Sequence, residues 1–223
     1  MIKYLIPLLS VLLGYGAAFL LKTENKSRLK LLLAFSGSFL LSLTVMHLLP
    51  EIYHSHDHMI GIFIMIGILF QIVLEFFSKG AEHGHVHSHH EMHTIPWMLF
   101  ISLCLHAFLE GFPVSHHEHL AIGIAVHHFP IAIILTVFFL NAKLDKLSIL
   151  VFMMTFAVMT PLGTAASAFI PQIGDYYNEI TAIVIGILFH ISSTIIFETT
   201  ENHKFNLAKM AMILFGILLA CFV

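Results

Sequence analysis

Charge is the first thing this sequence lacks. Asp, Glu, Lys and Arg make up only 10% of its 223 residues, against about a quarter in ordinary globular chains. A soluble domain of this length cannot cover its surface with so few charges. A disordered chain is excluded too, because it needs high charge and low hydrophobicity. The formal net charge is −3 with no basic stripe, which argues against nucleic acid as a partner. Cysteine is equally scarce. Cys104 and Cys221 both sit inside apolar runs, and two such residues build neither a disulfide framework nor a thiolate zinc site. The chain has no His-Glu-x-x-His and no serine in a nucleophile motif.

What the sequence has instead is apolar length. Hydrophobic residues reach 58%, and a bilayer core about 30 Å thick needs roughly 20 of them per helix. Eight runs of that order can be drawn, at 3–21, 31–53, 59–78, 95–114, 120–140, 148–170, 180–199 and 207–223. Little chain remains between them, so residues 1–223 read as a single transmembrane domain of an all-α polytopic membrane protein, embedded in a lipid bilayer. The first run resembles a signal peptide, but its basic flank, Lys22 to Lys30, fits a retained anchor with a cytoplasmic loop. With the N-terminus outside, nine of the ten basic residues fall in inner loops and only Lys3 falls outside. That asymmetry predicts an even number of spans with both termini external, in the cell membrane.

The 18 histidines divide into two populations. One occupies the connections: His54, His56 and His58; His83, His85, His87, His89, His90 and His93; His116, His117 and His119. The other lies within apolar spans: His47, His106, His127, His128 and His190. His203 stands apart in the last inner loop.

Ionisable groups at bilayer depth are costly and face a cavity, a partner or an ion. His106 and Glu110 are four residues apart, which on a helix puts both on one face, one turn apart. An imidazole and a carboxylate so placed suit one divalent transition metal; a His–Glu hydrogen bond packing two helices is the alternative. His106 and His127 each lie about eight residues from the outer ends of their helices, and His47 about six, so all three fall roughly 9–12 Å below the outer boundary. His190, near mid-membrane, reads as a structural hydrogen-bonding residue. Two of these histidines precede a proline by three positions, in His47-Leu-Leu-Pro50 and His127-His-Phe-Pro130. Proline frees carbonyls in the preceding turn, which a membrane helix tolerates where neighbours or water satisfy them.

The stretch Glu82-His-Gly-His-Val-His-Ser-His-His-Glu-Met-His93 holds six histidines in twelve residues. It reads as a cytoplasmic loop that binds divalent metal weakly, in a regulatory or buffering role. The clusters His54-Ser-His-Asp-His58 and His116-His-Glu-His119 read as collectors of ions at the outer entrance.

Taken together, Met46-His-Leu-Leu-Pro-Glu51, the His-rich loop between spans three and four, His106-Ala-Phe-Leu-Glu-Gly111 and His127-His-Phe-Pro130 resemble the ZIP family of divalent metal transporters. The resemblance covers essentially the whole chain. It implies an eight-helix bundle in a 3+2+3 arrangement, with spans one to three related to six to eight by inversion. It implies movement of a divalent metal, with zinc first and Fe2+, Mn2+ or Cd2+ also in view, into the cytoplasm as one helix block shifts against another. The metal is the substrate, and no separate cofactor is expected. Carried over by position, the ligands are His106, Glu110 and His127, with His47 and His128 as further candidates. The family's second site needs polar groups where this chain has Ala107, Ile131 and Thr160, so a single metal is expected. A homodimer is compatible with this reading.

Two other classes compete. A cation-diffusion exporter shares intramembrane histidines and a His-rich loop, but it normally has six spans and a soluble C-terminal domain. An intramembrane zinc-dependent hydrolase would use His106 and Glu110 to activate water. Metal flux, as against lipid or peptide cleavage, separates them.

Overall fold

The computed structural model describes residues 1–20, 26–53, 59–78, 94–198 and 207–222. Among these every regular element is helical: α1 (Ile2–Leu20), α2 (Lys26–Leu43, prolonged through a π-helical turn, Thr44–Leu48, into Leu49–Tyr53), α3 (Ile60–Ser78), α4 (Trp97–Val114), α5 (Glu118–Asn141), α6 (Lys146–Phe169), α7 (Tyr177–Glu198) and α8 (Leu207–Ala220). Helices α1 to α7 each include a stretch long and apolar enough to cross a membrane, and α8 is a shorter apolar helix. The protein is an all-α polytopic membrane protein.

Local chemistry sets the breaks. The α5–α6 turn places Lys143 at φ 58°, the left-handed position at which helices commonly end. Asp145 then caps α6, accepting the Ser148 backbone N–H at 2.9 Å, and this bond holds its carboxyl below the usual range. In α2 the cause is Pro50. It has no N–H to give the preceding turn, and the ladder slips there, with the Leu49 N–H reaching back five residues to Thr44 O.

The helices pack as two blocks. In one, α1 lies against α5 and α6, and α4 lies against α6; in the other, α3 packs on α7, and α2 packs on α7 and α8. Contacts of α2 with α5, and of α4 with α3 and α7, join the blocks. Exchanging α1 with α6, α2 with α7, α3 with α8 and α4 with α5 maps most of these pairings onto one another: α1–α5 onto α6–α4, α3–α7 onto α8–α2, and α2–α5 onto α7–α4. The exchanged helices run in opposite directions, so the pairing has the form of an inverted repeat. The lesser pairings α3–α4 and α5–α6 lack counterparts of similar extent.

Glycine sets the closest approaches in both blocks. A Cβ on Gly163 of α6 would meet Phe108 O of α4, and one on Gly111 would meet Thr160 O. Gly67 and Gly186 stand in the same relation between α3 and α7, against Ile183 O and Ile64 O. Without a hydrophobic drive between helices in lipid, such backbone contact is the main source of packing attraction. Helix α5 is enclosed on most sides, with Ile131, Ala132, Leu135 and Phe139 in the core alongside Phe152 and Phe156 of α6. The central polar side chains of α4 and α5, His106, Glu110, His127 and His128, are therefore cut off from both water and lipid.

Candidate metal centre

On α4 the one-turn spacing brings His106 Nε2 to 2.8 Å from Glu110 Oε1. The other carboxylate oxygen, Oε2, lies 2.9 Å from His128 Nε2 on α5. His127, the next residue of α5, completes the group: one donor atom from each of His106, Glu110 and His127 lies within 4.8 Å of the others. Relative exposure is 2% for His106, 0% for Glu110, 2% for His127 and 1% for His128.

The pairing of Glu110 with His106 and His128 is compatible with plain hydrogen bonding; it is His127, a third buried donor drawn into the same small volume, that suits a metal. Three buried donor atoms gathered this closely, two imidazole nitrogens and a carboxylate oxygen, are the arrangement that a single divalent cation requires. The donor set, two imidazoles and a carboxylate, suits zinc or a neighbouring first-row divalent metal. His128 holds the second oxygen and so fixes the carboxylate, as outer partners of metal ligands commonly do. Its ring packs on Phe156, with centroids 5.1 Å apart.

The other expected positions go elsewhere. His47 does not join this group; its ring lies 5.8 Å from that of His119, at the end of the bundle that carries Met1. His47 lies within the π turn, Thr44–Leu48, where the extra residue breaks the regular α-helical phase that equal depth and facing would require. Ala107 and Ile131 are packed in the apolar core. Thr160 is buried, and its hydroxyl has no hydrogen-bond partner. His83, His85, His87, His89, His90 and His93 lie outside the described residues, as do His54, His56, His58 and His203.

At the Met1 end, His117 Nε2 is 3.1 Å from Glu51 Oε2. Burial holds the His117 imidazole below its usual value; the Glu51 carboxylate opposes this, and the imidazoles of His119, His116 and His47 add to the lowering. His190 Nε2 donates to Glu75 Oε2 across α7 and α3, at 2.6 Å, in keeping with a structural role. Sequence reasoning passed over Glu75, although it is the one charged residue between Ile60 and Ser78, and that isolation was the available signal.

The profile of the ZIP zinc transporter family matches residues 78–223, which include α4, α5 and the whole buried group. No curated protein matches the chain. With the match extending over more than half of its length, the chain belongs to the ZIP zinc transporter family, whose members move divalent metals across membranes.

Proposed function

We propose that the protein carries zinc into the cytoplasm through the group formed by His106, Glu110 and His127. The observation that supports it best is the convergence of one donor atom each from His106, Glu110 and His127, all buried, within 4.8 Å of one another. A divalent ion there would join three donors and neutralise the carboxylate. Both helices that supply the ligands belong to one block, so the ion travels with that block as it shifts against the other. Direction follows from the topology read off the sequence, which puts nine of the ten basic residues in inner loops; that side is then cytoplasmic, and the Met1 end faces out. Ala107 and Ile131 offer no ligand atoms, so the site takes one ion.

Proteoliposomes loaded with a zinc-sensitive dye test this reading. Wild-type protein should give saturable uptake, and Glu110→Gln should reduce it to the level of empty liposomes with equal protein reconstituted. Uptake by Glu110→Gln at the wild-type rate would remove the site from the pathway.

A further inference from the structure

The histidines at the Met1 end are not interchangeable. Glu118 is engaged by Lys3, whose Nζ lies 3.3 Å from Oε1 and also donates to Ser115 O at 2.9 Å. The His116 ring packs tilted against that of Tyr177 with centroids 4.3 Å apart, and its Nδ1 meets Ser115 Oγ at 2.9 Å. Four groups are left facing one another. His47 and Glu51 come from α2; His117 and His119 come from the turn into α5. His117 Nε2 and Glu51 Oε2 are 3.1 Å apart, close to the ligand spacing of about 3.3 Å that zinc bond lengths of 2.0–2.1 Å give in a tetrahedron. The His119 ring lies 5.8 Å from that of His47 and 6.5 Å from that of His117. His47 Nδ1 is buried and has no hydrogen-bond partner.

We propose that His47, Glu51, His117 and His119 form a second metal site, which takes a divalent transition metal and ties the two helix blocks together at the Met1 end. Its ligands are divided in a way the core group's are not. His106, Glu110 and His127 all belong to the block of α1, α4, α5 and α6. Here α2 supplies two ligands from the opposite block. A metal in the core group moves with its block, whereas a metal at the Met1 end has to be released before the blocks can slide. The four donors are more widely spread than the core set, so rotation about side-chain bonds closes them on the ion. The site therefore fills at higher metal concentration than the core and slows turnover when external metal is abundant. The identity of the ion rests on the transport reading; the ligand set does not.

The test measures the blocks directly. Full-length protein carrying Cys104→Ala, Cys221→Ala and Ser at His54, His56 and His58 is spin-labelled at Ile62→Cys on α3 and Ile122→Cys on α5, both exposed, and placed in lipid nanodiscs. Zinc alone should narrow the distance distribution. It should still do so in Glu110→Gln, where the core group is disabled, and should fail to do so in His117→Gln/His119→Gln. Glu51→Gln, with a half-exposed side chain, supplies a variant that keeps the fold and should shift the response to at least tenfold higher zinc. Narrowing that survives His117→Gln/His119→Gln, or that is absent from the parent, overturns the proposal. Narrowing that disappears with Glu110→Gln overturns it as well, by assigning the effect to the core. Uptake is read separately: wild-type uptake by Glu110→Gln counts against the transport reading and leaves the zinc-dependent distance standing.

Discussion

The core group and the group at the Met1 end are built from the same donors, imidazoles around one carboxylate, but in opposite settings. Glu110 is fully buried, and its second oxygen is fixed by His128 at 2.9 Å. The Glu51 side chain is 54% exposed, and its histidine partner sits across a junction between helix blocks. Burial makes every electrostatic interaction stronger and every missing partner more costly. On the proposed reading, the core therefore favours a cation and holds it in one geometry. The partly exposed group at the Met1 end can exist filled or empty, which suits the proposed capture and restraint.

The comparison breaks most easily at Glu110. Glu110→Gln removes the negative charge while keeping the shape, and saturable zinc uptake should fall to background at normal protein amount. By contrast, Glu51→Gln should leave uptake at low zinc measurable. Equal losses in the two variants, assayed side by side, would show that the settings do not matter.

The next largest effect is on packing. Gly163→Ala drives a Cβ into Phe108 O on the helix that carries His106 and Glu110. Overpacking of this kind costs about 1–3 kcal/mol, and here the neighbour is backbone, which yields little. The variant should unfold at a lower temperature in detergent and lose uptake with it. Gly16, whose Cβ would meet nothing within 4 Å, is the control, and Gly16→Ala should retain both.

His128→Asn separates fixing from ligation. Loss of an outer partner typically costs about 10–100-fold in metal affinity. The concentration for half-maximal uptake should rise by that order while a saturating rate survives. A complete loss at all zinc concentrations would make His128 a direct ligand and not a positioning residue.

How much of this was legible beforehand follows from the same physics. Helix spacing alone placed His106 and Glu110 on one face, because four residues make about one turn whatever surrounds them. That His127 meets them could be argued from depth, since both helices run to the same end. Depth failed for His47, where a π turn before Pro50 broke the regular rise. The inverted relation between α1–α3 and α6–α8 left no visible trace in the sequence. It resides in which helices pack, and small residues such as Gly111 and Gly163 satisfy close packing without any sequence identity between halves. Glu51 was visible as part of a motif, but its partner His117 is far away in sequence and is set only by how α2 meets the turn into α5.

The smallest expected effect sharpens the comparison by adding a third His–Glu pair. His190 and Glu75 join α7 to α3 at 2.6 Å, with side chains 20% and 25% exposed. Among the described residues, no third histidine, cysteine or acid is placed with them as in the core group. Both helices lie in one block, so the pair neither bridges the junction nor completes a ligand set. A hydrogen bond to a charged partner contributes roughly 1.5–3 kcal/mol when buried, and partial exposure brings this to about 1 kcal/mol. His190→Gln should therefore lower the thermal midpoint modestly, leaving the zinc concentration for half-maximal uptake within about twofold of wild type. Thermal unfolding in detergent and dye-based uptake on the same preparation check both halves. If uptake vanished while the unfolding temperature stayed put, the same two donors would have to lie on the metal's path, and two ligands without a third would be enough to make a site in this protein.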